Sequence, residues 1–165
     1  VEIRNATADD WPAIWPFFHE IVTAGETYAY DPALTEEQAR SLWMSPSSAV
    51  LSRTTVAVDA DGTVLGSANM YPNRPGPGAH VASASFMVDA ASRGKGVGRV
   101  LCQDMIDWAT REGFRSIQFN AVVETNHSAV KLWQDLGFQI IGTVPETFRH
   151  PTHGYVGLHV MYRPL

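Results

Sequence analysis

The run Arg93-Gly94-Lys95-Gly96-Val97-Gly98 stands between an apolar stretch at Phe86, Met87 and Val88 and a segment in which Val97, Val100, Leu101, Met105 and Trp108 recur at helical spacing. A strand, a glycine loop and a helix in this order commit the chain to helices packed on a sheet. Glycines let successive backbone N–H groups converge with no Cβ in the way. The first turn of the helix that follows adds unpaired donors and about half a positive charge from its dipole. Such a loop suits a phosphate or pyrophosphate, although taken alone it is equally a tight surface turn with two basic residues for solubility. Two named phosphate loops do not match. Val97 and Gly98 follow Gly96 where an ATPase-type loop needs Lys and then Ser or Thr, and the spacing GxGxG is not the GxGxxG of dinucleotide-binding folds.

The flanking segments alternate between the two periodicities. Glu2 to Asn5 reads as a short strand, followed by a helix capped by Thr7 or Asp9 with Trp11, Ile14, Trp15, Phe18 and Val22 on one face. Pro12 falls in its first turn, Pro16 predicts a kink or break, and Gly25 ends it. Thr35 to Gln38 is a capping box opening a second helix through Leu42 and Trp43, with a break at Ser45 to Ser48. A hairpin follows, with strands at Val50 to Val58 and Val64 to Met70 around Asp59-Ala60-Asp61-Gly62. Pro72 to Gly78 is a loop leading to the strand His80 to Val88. After the glycine-loop helix come a strand at Ser116 to Val123, a helix to Leu136, a strand at Phe138 to Thr143, a loop from Pro145 to Gly154, and a last strand at Tyr155 to Tyr162. The expected class is α/β (α+β), a mixed and mostly antiparallel sheet of about seven strands with about four helices on both faces.

At 165 residues and 45% hydrophobic content, one globular domain over residues 1–165 is expected. The single cysteine, Cys102, has no partner for a disulfide, and no Cys/His cluster has zinc spacing, so no metal is expected and a reducing, cytoplasmic compartment is the simplest inference. No apolar run has membrane-helix length and the start is not a signal peptide, so no membrane partner is expected. Twelve basic against 17 acidic residues, a formal net charge of −5, argue against a broad nucleic-acid surface. Arg93, Lys95, Arg99 and Lys131 are the local basic residues available to an anion.

Arg93, Gly96 and Gly98 match the [QR]xxGx[GA] acetyl-CoA loop of the GNAT superfamily of N-acetyltransferases, and the segment Asn126 to Phe138 matches that family's NxxAxxL[YW]xxxGF. The chain resembles the family over essentially its whole length. The resemblance implies the GNAT fold and acetyl transfer from acetyl-CoA, as co-substrate, to an amine; dimerisation is a family-level expectation only. It implies that the backbone N–H groups of Arg93, Gly94, Gly96 and Gly98 hold the pyrophosphate, and that Lys95, Val97, Lys131 and Trp133 also belong to the coenzyme-binding set. The strand end at Phe86 and Val88 would pair with the pantetheine arm through its main chain, and an N–H near Met87 or Val88 would steady the oxyanion. Asn126 matches the coenzyme-contacting asparagine, and an N-cap role is compatible with it.

Two positions depart from the family pattern. Trp133 stands where many members have a tyrosine that protonates the leaving thiolate; an indole is no usable acid, and with Ala129, Leu132 and Leu136 it forms an apolar helix face that reads as core. Ser83 stands at the place read as that of the glutamate base in phosphinothricin-type enzymes. Without a base, an α-amino group of pKa about 7.8 is a better acceptor than a lysine-like amine near about 10.4. His80 and His150 are alternative bases, against the plainer reading of structural or surface histidines. Asn120, with Trp11, Gly25, Tyr28, Pro72-Asn73 and Leu132-Trp133, resembles the small microbial subgroup that acetylates proline analogues such as azetidine-2-carboxylate. In that subgroup the matching asparagine lies at the acceptor end of the site. The segments Glu26 to Tyr30 and Pro145 to His150, with Glu26, Tyr28, Phe148 and His150, are expected to wall the acceptor. The function expected is acetyl-CoA-dependent N-acetylation of a small-molecule amine, an amino acid or toxic amino-acid analogue, by direct attack, with detoxification as its purpose. The alternatives are an acyl-CoA sensor without turnover and a protein N-terminal acetyltransferase.

Overall fold

The structure, a computed structural model, describes residues 1–45 and 51–165. Seven strands, β1 (Glu2–Asn5), β2 (Arg53–Val58), β3 (Val64–Pro72), β4 (Val81–Val88), β5 (Ser116–Val123), β6 (Gln139–His150) and β7 (Gly154–Pro164), form one sheet in the order β1-β2-β3-β4-β5-β7-β6. Among the described residues there are four α-helices, α1 (Trp11–Ala24), α2 (Glu36–Met44), α3 (Val97–Arg111) and α4 (His127–Asp135). All neighbouring strands run antiparallel except β4 and β5. The expected mixed sheet with helices on both faces is the one observed.

Side chains alternate across each strand, so the sheet presents two apolar faces. On one, Trp11, Ile14, Phe18 and Val22 of α1 and Ala39 and Trp43 of α2 pack on Val56, Val58 and Met87. On the other, Leu101, Met105 and Trp108 of α3 and Trp133 of α4 pack on Ala57, Ala68, Met70, Ala82 and Ile117. Local chemistry sets most of the ends. Gln38 N–H donates to Thr35 Oγ1 and Thr35 N–H to Gln38 Oε1, at 3.2 and 3.0 Å, closing the expected capping box. Gly25 ends α1 in a left-handed conformation, φ 66°.

Two expectations change, and one falls on residues that are not described. Pro16 does not break α1, which runs through it. The ring is exposed, so only one intrahelical bond is lost, while Ile14, Phe17, Phe18 and Val22 anchor the helix to the sheet around it. The loop expected at Pro145 to Gly154 is mostly strand: Phe148, Arg149 and His150 pair with Val156, Tyr155 and Gly154. Pro145 is tolerated because β6 is an edge strand and its pairing slips between Val144 and Phe148, where Glu146 takes φ 55°. The break after Ser45 and the strand start at Val50 concern residues 46–50, which lie outside the described residues.

Gly66 of β3 lets α3 settle on the sheet. A Cβ there would lie 2.8 Å from the Met87 carbonyl oxygen and 3.0 Å from Val97 Cγ1. Backbone and the first helical residue cannot both give way, so Gly66→Ala is expected to destabilise by about 1–3 kcal/mol, a fall in Tm of roughly 2–4 °C for each kcal/mol. Thermal unfolding checks this; an unchanged Tm would mean that the start of α3 has room to move.

Candidate active site

The parallel strands β4 and β5 pair at only two positions, Val81 with Ser116 and Ala82 with Ile117. Beyond these they diverge into a wedge. An aromatic cluster fills its base. Trp133 packs against Phe86 and Phe119 with ring centroids 5.0 and 5.3 Å away, and Phe119 stacks on Phe138 at 4.4 Å. Trp133 is 8% exposed and belongs to the core, as its apolar helix face predicts.

The divergence bares one edge of β4. In an antiparallel ladder, residues alternate between those that exchange bonds with the neighbour and those whose N–H and C=O point away. Asn73 N–H donates to Val81 C=O at 2.7 Å, and Asp89 N–H to Leu65 C=O at 2.9 Å, which fixes the phase at both ends. Ser83, Ser85 and Met87 therefore bond to β3, whereas Ala84, Phe86 and Val88 turn their peptide groups toward the wedge. The Phe86 pair is engaged by Tyr28, whose hydroxyl accepts from Phe86 N–H at 2.9 Å and donates to Phe86 C=O at 2.5 Å.

The edge runs directly into the glycine loop. Asp89 Oδ1 accepts from Ala91 N–H at 3.3 Å and starts a 3₁₀ turn over Ala90–Ser92. Gly94 and Gly96 then take φ 77° and 78°, with nothing within 4 Å of where a Cβ would stand. The N–H groups of Gly94, Gly96, Val97 and Gly98 find no acceptor among the described residues, whereas Arg93 N–H and Lys95 N–H are turned back to Ala90 and Ser92 C=O at 3.3 and 3.4 Å. Gly98 lies against α4; a Cβ would be 3.3 Å from Leu132 Cδ2. Cα-only residues at the mouth and free donors at a helix start fit a pyrophosphate.

The four basic residues divide. Arg93 and Lys95 are exposed beside the loop, while Arg99 and Lys131 share Asp135 at 3.5 and 2.9 Å. Lys131 first, and then Arg99, hold the Asp135 carboxyl below its ordinary value. Asn126 caps α4, its Oδ1 accepting from Ala129 N–H at 3.4 Å and the Ser128 hydroxyl at 3.3 Å. That leaves the Asn126 amide N–H groups for another partner.

On the α1/α2 face, the wedge adjoins a polar patch. Tyr28 and Tyr30 stack at 5.4 Å and 8°, Tyr30 stacks on Phe18 at 5.9 Å, and Ser85 precedes Phe86, the residue whose peptide groups the Tyr28 hydroxyl engages. Burial raises both phenols above their ordinary value, so both remain protonated donors. Asn69 and Tyr71 of β3 pair with Ser85 and Ser83 and share their face. Asn120 sits where the β5–β7 pairing slips between Phe119 and Val122. It donates to Asn73 Oδ1 at 2.7 Å and accepts from Gln118 Nε2 at 2.9 Å.

Other expected site residues are placed differently. Ser83 is 2% exposed, beneath this face. Glu26 is exposed on the α1–α2 connection. Phe148 packs in a separate cluster with Val123 and Val156. His150 Nδ1 accepts the N–H groups of Thr152 and His153, both at 3.2 Å, and so holds the β6–β7 turn. No hydrogen bond or ring contact among the described residues joins Phe148 or His150 to the tyrosines. Asn69, Tyr71 and Ser85 are not among the residues the sequence singles out. Their signal is a polar side chain at every second position, Ser67, Asn69, Tyr71 and Ser83, Ser85, along two central strands.

The family model for the acetyltransferase (GNAT) family matches residues 5–138. The chain belongs to the GNAT acetyltransferase family. It is 30% identical over 156 residues to the N-acetyltransferase aca1 of Schizosaccharomyces pombe, covering 87% of this chain and 75% of the relative. It is likewise 30% identical over 145 residues to the L-methionine sulfoximine/L-methionine sulfone acetyltransferase of Pseudomonas aeruginosa, 87% of this chain and 83% of that one. A GCN5-related N-acetyltransferase from Kribbella flavida superposes with a TM-score of 0.96 at 81% identity, over 99% of this chain and 97% of that chain. A GNAT superfamily phosphinothricin acetyltransferase from Sinorhizobium meliloti, in complex with AcCoA, superposes with a TM-score of 0.85 at 25% identity, over 99% and 88%. The protein is an acyltransferase with the GNAT fold.

Within this GNAT chain Cys102 is buried on the sheet-facing side of α3, and burial pushes its thiol up to about 12, which makes it no nucleophile near neutral pH. Among the described residues no three His, Cys, Asp or Glu side chains gather as a metal site, and no helix is long and apolar enough to cross a membrane.

Asn69 is one of four described residues with a buried side-chain oxygen that has no hydrogen-bond partner, the others being Thr55, Asp104 and Thr125, and it is the one on the β3 face shared with Ser85. It is 2% exposed, and its Oδ1 has no hydrogen-bond partner. A buried acceptor left unpaired costs about 1–3 kcal/mol. Asn69→Leu, of similar shape, is therefore expected to raise Tm by several degrees while lowering kcat/KM for the acceptor. A lower Tm for this variant, read by calorimetry, would show that the amide is satisfied in solution.

Proposed function

We propose that the protein transfers the acetyl group of acetyl-CoA to the amine of a small amino acid or toxic amino-acid analogue, by direct attack. The observation that carries this reading is continuity: the edge of β4 that no strand pairs, at Ala84, Phe86 and Val88, leads directly into the donor-rich loop of Gly94 to Gly98, with Phe86 covered by the Tyr28 hydroxyl. An extended pantetheine arm needs the first and its pyrophosphate the second. The S. meliloti relative is known with AcCoA bound, and the P. aeruginosa relative is named for amino-acid analogues.

Each group then has a task. The N–H groups of Gly94, Gly96, Val97 and Gly98 receive the pyrophosphate, with Arg93 and Lys95 beside them. Val88 and Phe86 pair with the pantetheine amides and the thioester carbonyl. The Asn126 amide meets the coenzyme from α4. Tyr28, Tyr30, Ser85, Asn69, Asn73 and Asn120 surround the acceptor on the α1/α2 face. The amine nitrogen attacks the thioester carbon, a β4 N–H steadies the oxyanion, the C–S bond breaks, and the amine proton leaves to water. A CoA thiol of pKa near about 8.5 departs without an acid, since general acid catalysis is worth only about 10²- to 10⁴-fold.

The finding that Pro145 to His150 is strand removes one of the two loops expected to close the acceptor pocket. A small acceptor is therefore argued from the α1–α2 connection and the polar patch alone. One observation favours the sensor reading: the side chains around the wedge are neutral amides and hydroxyls, with no carboxylate or free imidazole bonded to them among the described residues.

A CoA-release assay with azetidine-2-carboxylate, proline, phosphinothricin, methionine sulfoximine, a polyamine and an N-terminal peptide separates the readings. Release with one small amino-acid class is expected. Acetyl-CoA binding with no release across the panel would favour a sensor. Arg93→Ala is expected to weaken acetyl-CoA binding roughly tenfold, the worth of one charge-assisted hydrogen bond, with little change in acceptor KM; Asn120→Ala is expected to do the reverse. Equal loss of coenzyme affinity in both would refute this division.

With no side-chain base, kcat/KM for the acceptor should rise about tenfold per pH unit up to the pKa of the amine itself. A plateau reached two or more units lower would reveal a base.

A further inference from the structure

Resting on the acetyl-CoA reading, we propose that Tyr28 is an internal stand-in for the acetyl-pantetheine end of the coenzyme, and that acetyl-CoA binds by displacing it from Phe86. A strand neighbour satisfies an edge residue by giving a C=O to its N–H and an N–H to its C=O. The Tyr28 hydroxyl does both for Phe86, accepting at 2.9 Å and donating at 2.5 Å. Phe86 lies in the bare stretch of β4, between Ala84 and Val88, where the arm would pair. One peptide group cannot serve both claimants.

The phenol is held without being locked. Its ring stacks only on Tyr30 among the described aromatic pairs, and it is carried by the irregular connection between Gly25 and Thr35. The flanking Glu26, Ala29 and Asp31 are exposed. Burial keeps the hydroxyl protonated, so it carries the donor that Phe86 C=O requires. Once displaced, the ring remains beside Tyr30 and Ser85 on the acceptor face. The same movement that admits the thioester reshapes the place where the amine arrives.

Tyr28→Phe keeps the ring and removes the competitor. Calorimetric titration with acetyl-CoA should show a threefold to tenfold tighter Kd in the variant than in the unaltered protein, a change of about 0.7–1.4 kcal/mol. Adenosine 3′,5′-diphosphate, which has no pantetheine arm, should bind both proteins equally. Equal or weaker acetyl-CoA binding by the variant overturns the proposal alone. Absence of acetyl-CoA binding in both proteins overturns the coenzyme reading and the proposal with it. Should the variant fail to fold, a crystal structure of the unaltered protein with acetyl-CoA decides: Tyr28 Oη away from Phe86 N supports the proposal, and Tyr28 Oη still within hydrogen-bond distance overturns it.

Discussion

The divergence of β4 from β5 after Ala82 and Ile117 is the constraint from which the site follows. Two parallel strands that stop pairing leave unsatisfied peptide groups, a cost that a buried sheet does not normally bear. Here the gap is propped by aromatic volume. Phe86 and Phe119 face each other across the wedge at 5.9 Å, and Trp133 lies against both. Closing the sheet would require these three side chains to leave the core they share with Phe138 and Leu101. Apolar burial on one face thus maintains exposed polar backbone at the edge.

The wedge also divides the labour of the two faces. Toward α3 and α4, small residues at Gly66 and Gly98 permit close approach of the helices, and the first turn of α3 leaves the free donors that any helix start has. Toward α1 and α2, the sheet is apolar under Trp11, Ile14 and Trp43, then turns polar at Ser67, Asn69, Ser83 and Ser85. Trp43 Nε1 donates to Ser67 Oγ at 2.9 Å, and the Ser67 hydroxyl donates to Thr55 C=O at 2.7 Å. That buried hydroxyl is spoken for by the fold. Asn69 Oδ1 is not, and the contrast between two neighbouring positions of one strand face separates structural polarity from polarity left for a ligand.

Much of this was legible in the sequence where the controlling chemistry is local. The Thr35–Gln38 capping box, the Asp59–Gly62 turn, Gly25 and the bounds of β5 each depend on residues a few positions apart. Pro145 misleads because its tolerance depends on β6 being an edge strand, a property of the whole sheet order. Pro16 misleads because burial of its neighbours outweighs one lost hydrogen bond. Ser85 and Asn69 gain meaning only from the register of β3 with β4. Tyr28 could be named as an acceptor-side residue, but its bond to a peptide group 58 residues away is a fact of tertiary structure.

The departures from the family pattern at Ser83 and Trp133 make chemical sense together. A side-chain base raises the rate only when the attacking amine is mostly protonated, and an acid only when the leaving group is poor. A thioester relaxes the second condition, and an amine of low pKa, such as a peptide α-amino group near about 7.8, relaxes the first; a free amino acid, whose carboxylate stabilises its ammonium, relaxes it less. What remains to be supplied is orientation and stabilisation of the oxyanion, for which effective molarities are worth about 7–11 kcal/mol and hydrogen-bond donors about 3–4 kcal/mol. On the proposed reading, neutral amides and protonated phenols orient the acceptor and a β4 N–H steadies the oxyanion. If the acceptor is the amino acid proposed above, a carboxylate in that place would repel its own carboxylate, whereas neutral amides and protonated phenols would not.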